Sequence, residues 1–224
     1  MKTALIAGAT GLTGTELLKL LISDDTYTRI HVVSRRAPDL QSSKIIHHPA
    51  QFDHLEELPI PKPIDEVYCA LGTTIKKAGS KSAFREIDFD AVVNLACWAK
   101  KVEASRFVVI SSIGANATSK NFYLRTKGQM ETIVKQVNLN ALIIVRPSLL
   151  TGKRKEVRMA ERFAELLTFA IQPLMIGKLR KYRPISAYKL ALAMKSLAQS
   201  KYSDTYIIES DELEKIATLT QKKL

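Results

Sequence analysis

The stretch Thr3-Ala4-Leu5-Ile6-Ala7-Gly8-Ala9-Thr10-Gly11-Leu12-Thr13-Gly14 decides the fold. Thr3–Ala7 is a short apolar run, the pattern of a strand buried on both faces. From Thr13 to Ile22 the leucines at 17, 20 and 21 mark one face of a helix. The glycines at 8, 11 and 14 stand between the two, where a strand feeds a helix through a loop able to turn tightly and to approach a diphosphate. A strand, a glycine loop and a helix in this order predict the first unit of a doubly wound nucleotide-binding sheet, with Gly8, Thr10, Gly11, Leu12, Thr13 and Gly14 lining the phosphates. The plain alternative is a strand-to-helix turn with no ligand.

The same rhythm continues outward. Arg29–Ser34, Lys44–His48, Glu66–Ala70, Arg106–Ser111 and Ala141–Val145 read as further strands, the last stopped by Arg146-Pro147. Asp88–Ala104, Phe122–Val137 and Ala187–Ser200 read as helices, and Thr205–Ile208 as a final strand. Alternating strands and helices predict an α/β fold: a single Rossmann-type domain over residues 1–224, a doubly wound parallel sheet in which 151–224 supplies a small C-terminal helical cap on the substrate side.

With 224 residues and 46% hydrophobic composition, the chain is long enough for one packed core. Cys69 and Cys97 lie in apolar runs and read as buried thiols in a reducing compartment. No signal-peptide core and no apolar window of the ~18 residues a membrane span needs is present, so a cytoplasmic protein without a transmembrane segment is expected. The net charge is +12, and residues 151–183 hold nine Lys or Arg against three Glu, half of that excess. This segment reads equally as a solvated face or as a docking face for a macromolecular partner, with a homodimer also open. No nucleic-acid motif accompanies the charge, so nucleic-acid binding is not expected. Arg154, Arg158 and Arg162 form a cationic stripe that Glu156, Glu161 and Glu165 can pair, opposite an apolar stripe from Met159 to Ile171. His47, His48, Asp53 and His54 fit no common zinc spacing and read as surface residues; no metal is expected.

Two constellations carry chemistry. After the second strand, where an NAD binder offers an acid to the ribose hydroxyls, this chain offers Ser34-Arg35-Arg36. A guanidinium pairs with a 2′-phosphate and an acid would repel it, which favours NADP over NAD. Phe52-Asp53 is a positional candidate for the adenine border. Tyr123 and Lys127 share one helical face four residues apart, and Ser111 and Ser112 lie shortly before them at a strand's carboxyl end. A tyrosine with an ordinary pKa of ~10 is a poor base near neutrality, and a neighbouring ammonium favours its phenolate. A serine (Ser112, or Ser111) then donates to the substrate oxygen on which charge develops.

These residues resemble the short-chain dehydrogenase/reductase superfamily, in particular an atypical branch similar to the Tat-interacting-protein family of NAD(P)H-binding oxidoreductases. The likeness rests on Gly8–Gly14 with its G-x-x-G-x-x-G spacing, Leu71-Gly72-Thr73-Thr74 with Phe84-Arg85 and Asp88, Ser111–Ala115, Asn121–Gly128 and Arg146–Gly152. It implies that Gly72 and Thr73 line the cofactor, that Pro147 and Ser148 approach the nicotinamide, and that Arg183–Ser186 closes over the cleft. Many superfamily members carry an asparagine where this chain has Asp88, a departure that bears on the proton relay. Three functions follow as expectations. The first is an NADP(H)-dependent oxidoreductase acting on a small carbonyl or alcohol, with Ser112, Tyr123 and Lys127 catalytic. The second is an NADP(H)-binding sensor or scaffold, and the third an epimerase- or dehydratase-like enzyme on nucleotide sugars.

Overall fold

The structure, a computed structural model, describes residues 1–49, 52–60, 62–152, 177–200 and 203–222. The two stripes expected over 154–171 lie outside them. Seven parallel strands form the main sheet: β1 (Lys2–Ala7), β2 (Tyr27–Ser34), β3 (Ile45–Pro49), β4 (Glu66–Cys69), β5 (Arg106–Ile110), β6 (Leu142–Arg146) and β9 (Thr205–Glu209). Their order is β3-β2-β1-β4-β5-β6-β9, so the winding reverses between β1 and β4. In such sheets the crevice beyond the carboxyl ends at that reversal is where ligands bind.

Both faces of the sheet are apolar, which explains why the strands read as unbroken hydrophobic runs. Ala4 and Ile6 point to one face, where they pack with Leu17, Leu18 and Leu21 of α1 (Leu12–Ile22). Leu5 and Ala7 point to the other and meet the helices that follow β4 and β5. There Val92, Leu95, Ala96 and Ala99 come from α4 (Ala91–Lys101), and Met130 and Val134 from α5 (Phe122–Gln136). The helix expected over Asp88–Ala104 is broken at its start. Two short helices, α2 (Ile75–Ala78) and α3 (Lys81–Arg85), precede a π-helical turn over Glu86–Asp90 that leads into α4.

From Ala187 onward the C-terminal segment is built into the layers of the sheet. Helix α6 (Ala187–Ala198) packs on α1, and Lys195 Nζ lies 2.6 Å from Asp24 Oδ2 at the end of that helix. After β9 comes a helix the sequence reading omits, α7 (Ser210–Gln221), which packs on α6. The overlooked signal is Leu213, Ile216, Ala217 and Thr220, one helical face. The short strands β7 (Leu150–Thr151) and β8 (Ile185–Ser186) pair parallel to each other beyond the end of β6. They bring Arg183–Ser186 beside the segment that follows β6, where the Ile185 amide donates to the Leu149 carbonyl at 3.0 Å.

Cys69 is buried in β4, whereas Cys97 is exposed on α4, contrary to its reading as a buried thiol. The reason is helical phase: Ala96 and Trp98 take the inward positions on either side of it.

Leu213 is wholly buried and joins α7 to the core shared by α1 and α6. Leu213→Ala is therefore expected to destabilise the protein by about 2–5 kcal/mol, the range for a leucine deleted from a packed core. Thermal or urea unfolding measures this, and a loss below about 1 kcal/mol would show that α7 does not share the core.

Candidate functional site

The glycines after β1 are required by close packing. Gly8 has φ +85°, and a Cβ there would stand 2.5 Å from the Ala70 carbonyl oxygen beyond β4. At Gly14 a Cβ would lie 2.0 Å from the Gly8 carbonyl oxygen. Gly11 donates its amide to Gly8 O at 3.0 Å and caps α1 with no side chain, so the first amides of the helix have no side-chain acceptor. Thr13 Oγ1 is buried with no hydrogen-bond partner among the described residues. Thr10 is exposed and Leu12 half-buried at the mouth, where a Cβ on Gly152 would meet Leu12 Cδ1 at 3.0 Å. Uncapped amides, an orphaned hydroxyl and backbone drawn tight at Gly8 and Gly14 fit the diphosphate of a dinucleotide.

Arg35 and Arg36 stand exposed at the carboxyl end of β2. Ser34, by contrast, is buried; its hydroxyl donates to the Arg36 carbonyl at 2.7 Å and lies 3.1 Å from His47 Nε2, so it shapes the turn that presents the two arginines. Asp53, offered for the adenine border, lies 3.6 Å from His54 Nε2. Phe52 and Asp53 line a small hollow with Asn94, Cys97 and Trp98 on the flank of α4.

Across the crevice, Gly72 and Thr73 follow β4. The Thr73 amide donates to Asp88 Oδ2 at 2.8 Å, and the other carboxylate oxygen lies 2.7 Å from Lys127 Nζ. Both charges are buried, with side-chain exposures of 3% for Lys127 and 1% for Asp88. Burial opposes the ammonium most strongly, yet the Asp88 carboxylate and the Tyr123 oxygen together outweigh it and hold Lys127 above the ordinary lysine range. Lys127 also reaches the Ile110 carbonyl at the end of β5, 3.5 Å away. Tyr123 lies one turn earlier on α5, half-buried, its ring centroid 5.7 Å from that of buried Phe84. Helix α5 comes close because residue 128 is glycine: a Cβ there would be 2.2 Å from the Ala117 amide nitrogen.

The two serines part company. Ser111 continues the face of Phe107 and Val109 and is buried, its hydroxyl donating to Glu131 Oε1 at 2.5 Å. Glu131 is clamped in turn by Arg146, with Nε to Oε1 at 2.9 Å and Nη2 to Oε2 at 2.6 Å, and Arg146 reaches Glu209 at 3.1 Å. Ser112 remains half-buried, its hydroxyl making a 3.3 Å contact with the Ile113 carbonyl. Pro147 is buried and its carbonyl accepts from the Ile113 amide at 3.0 Å. Ser148 donates to the Arg183 carbonyl and receives the Ser210 hydroxyl at 3.0 Å, so it fastens the wall of the cleft to α7.

Sequence reasoning noticed Asp88 without giving it a role and missed Glu131. The available signal for Glu131 was a carboxylate four residues after Lys127, beside the apolar stripe of Met130 and Val134. His48, read as a surface residue, is buried against His31, with Nε2 and Nδ1 2.8 Å apart. Burial depresses both imidazoles, His31 to about 4. Among the described residues no group of three or more His, Cys, Asp or Glu is placed to hold a metal ion.

The family model described as NAD(P)H-binding matches residues 8–170. The chain belongs to that family. Among curated relatives of this NAD(P)H-binding chain, Protein FMP52, mitochondrial, of Coccidioides immitis is 30% identical over 237 residues, covering 100% of this chain and 95% of the relative. Protein FMP52-1, mitochondrial, of Scheffersomyces stipitis is 36% identical over 158 residues, 68% of this chain and 69% of the relative. Among solved structures, MoeE5 in complex with UDP-glucose and NAD superposes with a TM-score of 0.69 at 15% identity, covering 99% of this chain and 81% of that one. The Bordetella bronchiseptica enzyme WbmH in complex with NAD+ gives 0.67 at 14%, covering 94% and 76%. These structural likenesses establish the Rossmann fold.

The relatives' names overturn the cytoplasmic expectation, since both are called mitochondrial. That expectation rested on the lack of an apolar leader, which is a mark of secretion; import into mitochondria uses amphipathic, Arg-rich segments instead. Among the described residues no helix is long and apolar enough to cross a membrane.

The glycine packing yields a direct test. Gly14→Ala would press a methyl group onto the Gly8 carbonyl and force the start of α1 away from β1. NADPH and NADH fluorescence titrations are expected to show affinity reduced at least about tenfold, a loss of ~1.4 kcal/mol. Unchanged affinity for both would remove the loop from the binding site.

Proposed function

We propose that this chain is an NADP(H)-dependent oxidoreductase acting on a small carbonyl or alcohol. One observation carries the reading. Thr73 after β4, Asp88 and Lys127 form a continuous hydrogen-bonded and ionic link from the crevice at the sheet reversal to the helix that bears Tyr123. Gly8 packs on the Ala70 carbonyl at the start of the same loop, which supports reading the glycine loop and the candidate relay as one site.

Uncapped amides of Leu12 and Thr13, with the Thr13 hydroxyl, would hold the diphosphate, and Arg35 and Arg36 a 2′-phosphate. When bound, the reduced nicotinamide supplies a hydride. Lys127 would hold the ribose hydroxyls on the nicotinamide side and attract the proton-bearing oxygen of Tyr123 electrostatically. Tyr123 would give its phenolic proton to the carbonyl oxygen during reduction, or take the alcohol proton in the reverse direction. Ser112, the serine not committed to Glu131, would donate a hydrogen bond to the same substrate oxygen. Ser111 supports this arrangement from behind. The mitochondrial names of the two fungal relatives support the same compartment for this chain.

Tyr123→Phe keeps the ring packed on Phe84 and removes the hydroxyl. NADPH oxidation against a panel of aldehydes, ketones and quinones is expected to fall by about 10²–10⁴ with nucleotide affinity unchanged. Nucleotide binding without turnover by the unaltered protein on any member of the panel would favour a sensor or scaffold. Replacing both Arg35 and Arg36 with Ala is expected to weaken NADPH by ~1.5–3 kcal/mol per lost charged hydrogen bond and to leave NADH nearly unaffected. Equal affinities for NADPH before and after the substitution would refute the preference.

A further inference from the structure

We propose that Asp88 is a positioning residue of this site, holding the Lys127 ammonium charged and aimed at the end of β5 while tying it to the nucleotide crevice through the Thr73 amide. The proposal rests on the reading of Tyr123 and Lys127 as the relay. It starts from a problem of burial. Two charges lie out of water at 2.7 Å, and an unpaired ammonium in such a place gives up its proton.

The groups facing Lys127 come from four elements. Asp88 faces it from the π-helical turn, Tyr123 from its own helix, Cys69 from β4 and the Ile110 carbonyl from β5. Burial pushes the Cys69 thiol up to about 12, so it contributes no charge near neutrality. Asp88 is the carboxylate among these groups, in direct contact with the ammonium at 2.7 Å. Its second oxygen is engaged by the Thr73 amide, so the carboxylate spans from the loop after β4 to α5. The backbone is shaped for this: the π-helical turn Glu86–Asp90 interrupts the run from α3 to α4, and Asp88 is its buried residue. Such single π turns recur at functional sites. An isosteric asparagine would still accept from the Thr73 amide but would leave the ammonium without a negative partner.

The test uses Asp88→Asn, Asp88→Glu and Lys127→Gln in the full chain, read by thermal unfolding and by NADPH fluorescence between about pH 6 and pH 9. In the unaltered protein Lys127 is held above its unfolded value, so its contribution is fully present below the unfolded lysine range and is lost only as pH rises through the higher folded value. It is flat across the window tested. In Asp88→Asn the buried amine falls below its unfolded value; the unfolded chain then binds more protons, and stability rises with pH. Lys127→Gln has no amine to lose and does not show that rise.

The gap in unfolding temperature from the unaltered protein should therefore narrow with rising pH for Asp88→Asn and not for Lys127→Gln. A gap that stays constant with pH in Asp88→Asn, or that narrows equally in Lys127→Gln, would overturn the proposal. NADPH affinity of Asp88→Asn should lie within about threefold of the unaltered protein near pH 6 and be at least about tenfold weaker near pH 9, with Asp88→Glu restoring a flat profile. A flat profile in Asp88→Asn would also overturn it. Should Asp88→Asn fail to fold, Asp88→Glu decides: a flat NADPH profile within about threefold of the unaltered protein supports the proposal, and a loss above about tenfold overturns it. If no variant and not the unaltered protein binds any pyridine nucleotide, the proposed function fails, and the proposal fails as a statement about that site.

Discussion

Two opposite charges sealed from water between a loop and a helix impose more order on this molecule than any single apolar contact. Desolvating each ion costs several kcal/mol, and only close geometry with further hydrogen bonds offsets it. Asp88 and Lys127 meet both conditions, at 2.7 Å and with the Thr73 amide and Ile110 carbonyl as additional partners. The loop after β4, the π-helical turn, α5 and the end of β5 must therefore settle together. Tyr123, one turn from Lys127, inherits its position from that settlement.

A second buried set braces the neighbouring strands. Glu131, Arg146, Ser111 and Glu209 join α5 to β5, β6 and β9 through charged hydrogen bonds. Glu131 follows Lys127 by one helical turn, so one face of α5 carries a cation paired with Asp88 and an anion paired with Ser111 and Arg146. Ser148 and Ser210 continue the bracing to the C-terminal helix. The ligand end of the sheet is thus held by polar contacts, while its two faces are held by apolar packing. Directional bonds fix where a side chain points, which packing area alone does not.

The parts legible in the sequence are those with local causes. The opening loop could be read because strand, glycines and helix follow one another, and each glycine answers to a neighbour close in sequence or on the adjacent strand. The seven strands could be read because burial on both faces leaves apolar runs. What escaped reading depends on tertiary context. Glu131 sits beside an apolar stripe, and helical periodicity has no vocabulary for a buried ion. The π-helical turn at Glu86–Asp90 adds one residue per turn locally, so a helix read as continuous shifts phase. Ser111 and Ser112 looked equivalent, although extending the alternation of β5 already sends Ser111 toward α5. His48 looked like a surface residue because its partner, His31, is on another strand. Compartment was misread for a different reason: an address is not a property of the folded domain.

The stacked imidazoles at that sheet edge make the protein's outer hem sensitive to acid. Folded, His31 accepts a proton only near pH 4, whereas a released chain accepts one near pH 6.5. Between those values the released chain binds more protons, so acidification draws the equilibrium toward fraying. β3 is the terminal strand of the sheet and carries one of the two rings, so souring of the medium would loosen this border.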